Sequence, residues 1–388
     1  MLEEKAARSA RVMFFTILIL LLVSSEATAA RSVASRLPNQ SPPSIASPAA
    51  ALVDARTGRV VYESNGDARR PIASLTKIAT ALTVLDVMTV NQTITMTAEA
   101  KGAAGQKSDL PVGVALTVRD ALAYLLLPSD NDIAVALAQG VSERQETFVA
   151  AMNLKARGFG LKNTAFVDSY GLAAGLDHFS TAKDIAKLSV VALRNETIAT
   201  LAASREVTVT IAGKRLVVSN RNELVGSYAG AVGLKTGHTE EAGYCLAAAA
   251  RRGPASFVAV ILGAPSRAVS FQEAKALLDY AFVNSRDEIL IRKGEIYGRI
   301  VRGRATLTLS VGNTISREIW IPAGDLRRRI TISKISREIR VRKGRILGTV
   351  RVFQGDRLLA SAPLASMVDE PPPPGLLERL AGFLRNLW

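Results

Sequence analysis

The chain is poor in the residues from which metal centres and cross-links are made: its 388 residues include one cysteine and two histidines. With Cys245 alone no intrachain disulfide can form, so stapling plays no part in this fold. Cys245 lies in the apolar stretch "AGYCLAAAA", where a packed strand residue is expected and a nucleophile is not. His178 and His238 are far apart, and no His-x-x-x-His or Cys-x-x-Cys spacing occurs, so neither a metal nor any other cofactor is expected. A Ser-His-Asp triad is poorly served too, because there is no Gly-x-Ser-x-Gly elbow and only two histidines are available. Aromatic residues are scarce, at 5%, and no aromatic-rich basic motif occurs, so nucleic acid is not an expected partner.

Acidic residues are the next shortage. Forty-nine lysines and arginines face 34 aspartates and glutamates, a formal net charge of +15. Such a chain is drawn to anionic surfaces, whether phospholipid headgroups or acidic wall polymers. A membrane-spanning run is also missing: Val12 to Val23 would cover roughly 18 Å as a helix, against a hydrocarbon core of about 30 Å. Preceded by Lys5, Arg8 and Arg11 and followed by Ala27-Thr28-Ala29, that run has the build of a secretory signal peptide over residues 1–29. A retained N-terminal anchor is the alternative. Either way the body is expected outside the cytoplasm, in the periplasm or at the outer face of the cytoplasmic membrane.

What is present is ample core material, with 48% hydrophobic residues. Residues 30–48, containing "LPNQSPPSIASP", read as a linker. Residues 49–283 read as one α/β unit. A hairpin turns at Arg56-Thr-Gly58, and a helical stretch runs from Ser74 to about Asn195, with helix starts at Thr117-x-x-Asp120 and Ser142-x-x-Gln145 and stops at Gly140 and Gly158. Strands "GAVGLKTG", "AGYCLAAAA" and "SFVAVILGA" and a closing helix "RAVSFQEAKALLDYAF" follow. Strands on both sides of a helical insert predict a single sheet fed from both ends of the domain. Residues 284–367, short Val/Ile/Leu runs alternating with Arg, Lys and Thr, predict a small all-β domain. In 368–388 a Pro-rich spacer precedes a tail whose Leu376, Leu380, Phe383, Leu387 and Trp388 share one helical face. That tail is expected to lie in a membrane interface, or else to dock on the protein's own surface.

The stretch "PIASLTKIAT" at 71–80 puts Ser74 and Lys77 one helical turn apart, where they can touch. A lysine beside a serine hydroxyl can serve as its base. Ser-x-x-Lys arises by chance about once in a chain this long, and there is a second, Ser180-Thr-Ala-Lys183, which a capping box of Thr181 and Asp184 explains. Two further short motifs follow in order: Ser129-Asp-Asn131, after "AYLLLP", and Lys235-Thr-Gly237, on an expected strand. Arg56-Thr-Gly58 imitates the last but precedes Ser74. Singly, each residue has a bland explanation, as a helix cap, a solvated charge or a turn residue. Jointly, those explanations give no reason for three motifs in sequence.

With Ser-x-x-Lys, Ser-x-Asn and Lys-Thr-Gly in that order, the sequence resembles the penicillin-recognising serine enzymes. Within that group it looks like the low-molecular-mass D-alanyl-D-alanine carboxypeptidases, on flanks that include "GFGLKNTAFVDSYGL" and "HFSTAKD". The resemblance implies a β-lactamase/transpeptidase-like α/β fold, an antiparallel sheet with a helical insert, followed by the small β domain and a C-terminal amphipathic helix. It implies Ser74 as nucleophile, Lys77 as its base and Ser129 as proton shuttle. Asn131 would hold the peptide amide, and Lys235, Thr236, Gly237 and His238 would line the substrate strand. The N–H groups of Ser74 and His238 would form the oxyanion hole, while Thr236 and Arg221 would bind the terminal carboxylate. Lys77 must be neutral near pH 7 to take a proton, and Lys235 is the second cation expected to hold it there. The implied substrate is the peptidoglycan stem pentapeptide, with β-lactam antibiotics as covalent inhibitors.

Two rivals remain at this level. A class A β-lactamase uses a glutamate on a loop after Ser-x-Asn, and no glutamate lies between Glu146 and Glu196. A non-catalytic wall-binding protein on the same fold would retain the motifs and form no covalent adduct.

Overall fold

The computed structural model describes residues 40–172, 177–303, 305–336, 339–372 and 375. The expected signal segment, most of the linker and the amphipathic tail from Leu376 onward lie outside those residues. The described residues form two compact units: one runs up to Arg286 and includes Glu318–Pro322, and the other holds Asp287–Arg317 and the residues from Ala323 onward.

The first unit opens with β1 (Ala49–Asp54) and β2 (Arg59–Ser64), a hairpin whose turn is pinned by Asp54: its Oδ1 accepts from the N–H groups of Arg56, at 2.9 Å, and Thr57, at 3.1 Å. The helical insert begins with α1 (Lys77–Val87), entered through the 3-10 turn Ala73–Thr76. Strand β3 (Thr93–Thr95), the single turn α2 (Ala98–Lys101) and β4 (Ala115–Thr117), which pairs with β3, follow. Helices α3 (Val118–Leu126), α4 (Asn131–Val141), α5 (Gln145–Gly158), α6 (Ala182–Ala192) and α7 (Glu196–Ala202) complete the insert. A hairpin, β5 (Glu206–Ile211) and β6 (Lys214–Ser219), leads to β7 (Ala231–Thr239), β8 (Gly243–Arg252), β9 (Ala255–Ala264) and α8 (Arg267–Val283).

The central sheet has the order β2-β1-β9-β8-β7, so strands from before and after the insert do share one sheet. Successive strand residues face opposite sides. β1 is buried from Ala49 to Val53, β8 from Cys245 to Ala250 and β9 from Phe257 to Leu262. Runs buried at every position must be covered on both faces, and α6 and α8 both pack against β9.

Two of the predicted helix starts hold. Thr117 caps α3, accepting from Asp120 N at 3.1 Å, and Thr181 caps α6, accepting from Asp184 N at 3.0 Å. The third does not. Ser142 and Arg144 are both extended, so α5 begins at Gln145, and the Ser142 hydroxyl donates to Arg144 O at 3.0 Å instead of capping the helix.

Then β10 (Ser285–Ile291), β11 (Gly298–Arg302), β12 (Ala305–Ser310), β13 (Ile315–Trp320), β14 (Leu326–Ile332), β15 (Ile346–Gln354) and β16 (Arg357–Ser366) follow one another in the second unit, except that the first two residues of β10 and the last three of β13 belong to the first. Five of them make a sheet of order β11-β12-β16-β15-β14, and β10 pairs with β13. Leu307 and Leu309 on β12, Val350 and Val352 on β15 and Leu364 on β16 are among its buried apolar residues, the paired ones at alternate positions along their strands. The segment Glu318–Pro322 groups with the first unit, where the Trp320 ring meets Tyr280 of α8 edge-on at 5.4 Å. Among the described residues no helix is long and apolar enough to cross a membrane.

Candidate active site

Ser74 lies in the 3-10 turn, directly after Ala73, which is held at φ 46°. Because that turn runs into α1, Lys77 sits one turn beyond Ser74 and is fully buried. Its Nζ lies 2.8 Å from Ser74 Oγ, 2.6 Å from Asn131 Oδ1 and 3.0 Å from the Tyr170 carbonyl oxygen. The Asn131 amide is oriented by its other end, where Nδ2 donates to Ala104 O at 2.6 Å. Oδ1 and the Tyr170 carbonyl can only accept. A neutral amine has two N–H groups, and these two acceptors consume both. Its lone pair then faces Ser74, whose hydroxyl can donate into it.

Burial pushes the Lys77 amine down to about 7, against the pull of Asp168 and Asp130, with Arg221 adding to the depression and Asp132 opposing it. Lys235, on β7, is also fully buried; burial first and then Lys77 and Arg221 push it well below the usual lysine range. Lys77 and Lys235 thus each lie in a site that disfavours a charge on the amine.

Ser129 follows Pro128 with φ 76°, a left-handed conformation uncommon for serine, and its buried Oγ has no hydrogen-bond partner among the described residues. Strain together with an orphan hydroxyl is a frequent mark of a functional position. Next to it, burial raises the Asp130 carboxyl to about 6, although a hydrogen bond from Gln106 Nε2 at 3.1 Å opposes the rise. Gln106 also accepts from Arg221 Nη2 at 2.9 Å through its side chain and from Asn131 N at 2.7 Å through its carbonyl. Gln106 was not picked out from the sequence; it stands in a loop without periodicity, and its value here comes from joining three elements.

Strand β7 brings Thr236, Gly237 and His238 to the same cleft. A Cβ on Gly237 would lie 3.0 Å from Ser74 N and 3.1 Å from Ile72 O, so glycine is what lets the strand approach the nucleophile turn so closely. The His238 ring packs on Tyr244 with centroids 4.1 Å apart. The cleft, about 230 Å³, is lined by Ser74, Ser129, Asn131, Arg221, Thr236, Gly237 and His238, with Leu172, Tyr244 and Phe271 supplying apolar surface. Lys77 and Lys235 are not on its wall. Cys245 is, but burial pushes its thiol up to about 11, which keeps it protonated and unreactive. No group of side chains suited to hold a metal occurs among the described residues.

The second Ser-x-x-Lys has structural work only. Lys183 pairs with Asp67 at 2.6 Å and Glu63 at 3.0 Å, and Ser180 Oγ bonds Thr164 Oγ1 at 2.7 Å.

A serine whose hydroxyl rests on a buried lysine, its amine lowered to about 7, defines a site for acyl transfer through a covalent intermediate. The family model for D-alanyl-D-alanine carboxypeptidases matches residues 18–266, and the chain belongs to that family. It is 30% identical over 335 residues to the D-alanyl-D-alanine carboxypeptidase DacF of Bacillus subtilis (strain 168), covering 82% of this chain and 85% of that one. To DacC of Escherichia coli (strain K12), another D-alanyl-D-alanine carboxypeptidase, it is 30% identical over 366 residues, 89% of this chain and 88% of the relative. In fold it is similar to the crystal structure of the D-alanyl-D-alanine carboxypeptidase DacD from Francisella tularensis, with a TM-score of 0.64 at 24% identity over 87% of this chain and 97% of that one.

Proposed function

We propose that the protein is an exported serine-type D-alanyl-D-alanine carboxypeptidase that removes the terminal D-alanine of peptidoglycan pentapeptides through an acyl-serine intermediate. The observation that carries this reading is the 2.8 Å contact between Lys77 Nζ and Ser74 Oγ, with two pure acceptors on the lysine. Lys77 takes the Ser74 proton as Oγ attacks the penultimate carbonyl, and the developing oxyanion is received by the Ser74 and His238 N–H groups. Each such donor is typically worth about a hundredfold or more in rate. The unpartnered Ser129 Oγ passes the proton to the departing amine, so that D-alanine leaves neutral at nitrogen. Asn131 orients the peptide amide, and Arg221 with Thr236 binds the terminal carboxylate, a role that suits a guanidinium fork. Water then attacks the acyl-serine, and the same groups return the proton to Ser74.

The β-lactamase reading is weakened by the loop after Ser-x-Asn. Of its two carboxylates, Asp168 and Asp177, the former is occupied by the N–H groups of Tyr170, Gly171 and Leu172 and so differs from a glutamate poised over water. The tail from Leu376 to Trp388 is part of the proposal as a membrane-interface segment, and residues 284–367 as a basic β module.

The test is intact-mass measurement of the mature protein during reaction with benzylpenicillin, with Ser74→Ala as control. An adduct that persists for minutes and is lost in the variant is expected. Rapid turnover to free enzyme and hydrolysed drug would indicate a β-lactamase, and the absence of any adduct would leave a wall-binding protein.

A further inference from the structure

The Tyr170 carbonyl receives Lys77 Nζ at 3.0 Å and lies 3.4 Å from Ser74 Oγ, and a main-chain oxygen must be aimed there by something. The nearest agent is Asp168. Its side chain is almost fully buried, and it gathers three successive N–H groups: Oδ1 accepts from Tyr170 N at 2.9 Å and from Gly171 N, and Oδ2 accepts from Leu172 N at 3.0 Å. This winds residues 168–172 into a turn around the carboxylate. Gly171, at φ +91°, is pressed so close to the nucleophile turn that a Cβ would stand 2.0 Å from Ala73 O. From the other side, Thr80 Oγ1, one turn past Lys77 on α1, donates to Ser169 O at 2.5 Å.

His178 is packed into the same corner without neutralising Asp168. The Thr76 hydroxyl donates to Ala73 O at 2.8 Å, so the 2.8 Å contact with His178 Nε2 requires the ring N–H on Nε2. Val167 N donates to Nδ1 at 3.2 Å, which places the lone pair there. The ring is therefore neutral, in keeping with burial lowering its basicity, and the 4.0 Å approach of Nδ1 to Asp168 Oδ1 is not an ion pair. Besides Asp168, the charged groups acting on Lys77 are Asp130 and Asp132 at the start of α4 and Arg221, while Lys235 on β7 is itself disfavoured as a cation by Lys77.

We propose that Asp168 is a positioning residue for acyl transfer: its carboxylate folds the turn that delivers the Tyr170 carbonyl to Lys77, and so fixes the amine lone pair on Ser74. The inference rests on the acyl-serine reading above. In Asp168→Asn the amide can keep two N–H groups on its oxygen, but its NH2 meets the N–H of Leu172, donor against donor, and the turn opens. A displacement near 1 Å at a reacting group costs about a hundredfold.

The experiment is the benzylpenicillin acylation rate of the full chain from pH 5 to 10, with thermal unfolding measured alongside. For Asp168→Asn the plateau is expected to fall about tenfold to a hundredfold. Its acid limb is expected to move to lower pH, because a charge favouring protonated Lys77 has gone. Thr80→Val, which loosens the turn but keeps the charge, is expected to lower the plateau and leave the limb in place; it also serves should Asp168→Asn not fold. A lower melting temperature with an unchanged plateau and limb in Asp168→Asn would overturn the inference. So would an unchanged plateau in Thr80→Val. A wild-type chain that takes up no penicillin overturns the acyl-serine reading and this inference together, whereas a labelled wild type with a coincident Asp168→Asn profile overturns this inference alone.

Discussion

Lys77 is set between two demands. It must be buried to lose its proton near neutral pH, and burial of an ammonium group works against folding. From an ordinary value of 10.5 to about 7 in the folded protein, the gap corresponds to about 5 kcal/mol at 1.36 kcal/mol per tenfold. A group whose folded value is depressed contributes fully above its unfolded value, and that contribution is lost as the pH falls through the folded value. The melting temperature of the wild type should therefore climb between about pH 7 and 10, and Lys77→Met should reduce that slope, leaving the share of Lys235, while abolishing acylation. A variant that keeps the full slope would remove Lys77 as its source. The same depression places the acid limb of acylation near pH 7.

At the level of elements, the site is the meeting of a helix start, a helix-helix turn and a strand. The meeting of strand and helix start depends on Gly237. Gly237→Ala would push β7 away from Ser74 N by the few tenths of an ångström that a 3.0 Å contact demands. Acylation should fall about tenfold or more with melting nearly unchanged, since alanine is tolerated in a strand; an unaltered rate would show that the strand gives way freely. The three motifs were legible because each carries its chemistry in side chains at short fixed spacing. Tyr170 escaped notice because its contribution is a carbonyl oxygen, which every residue has. Asp168 was not legible as a positioning group, since nothing in one dimension reveals three N–H groups closing on it. The β8 and β9 strands were readable from unbroken apolar runs, whereas the start of α5 was misplaced because a capping pattern says nothing about whether the chain before it is still extended.

Over the whole molecule, charge is unevenly spread. Residues 287–317 and 323–388 hold 19 lysines and arginines against 9 acids, most of the +15 excess in about a quarter of the chain. On their sheet Arg329 faces Arg351 directly, a like-charge pair that favours an anionic neighbour. Sedimentation with anionic vesicles should therefore weaken with salt, and deletion of Leu376–Trp388 should weaken it further at any salt; unchanged sedimentation after the deletion would sink the proposed role of the tail. The return of Glu318–Pro322 to the first unit bears on a different matter, the order in which the chain can fold. β1 cannot find its place until β9 has been made, and Tyr280 waits for Trp320. Contacts so distant in sequence close slowly. A chain emerging N-terminus first thus cannot complete its central sheet until β9, ending at Ala264, has been made, which would suit the export proposed above.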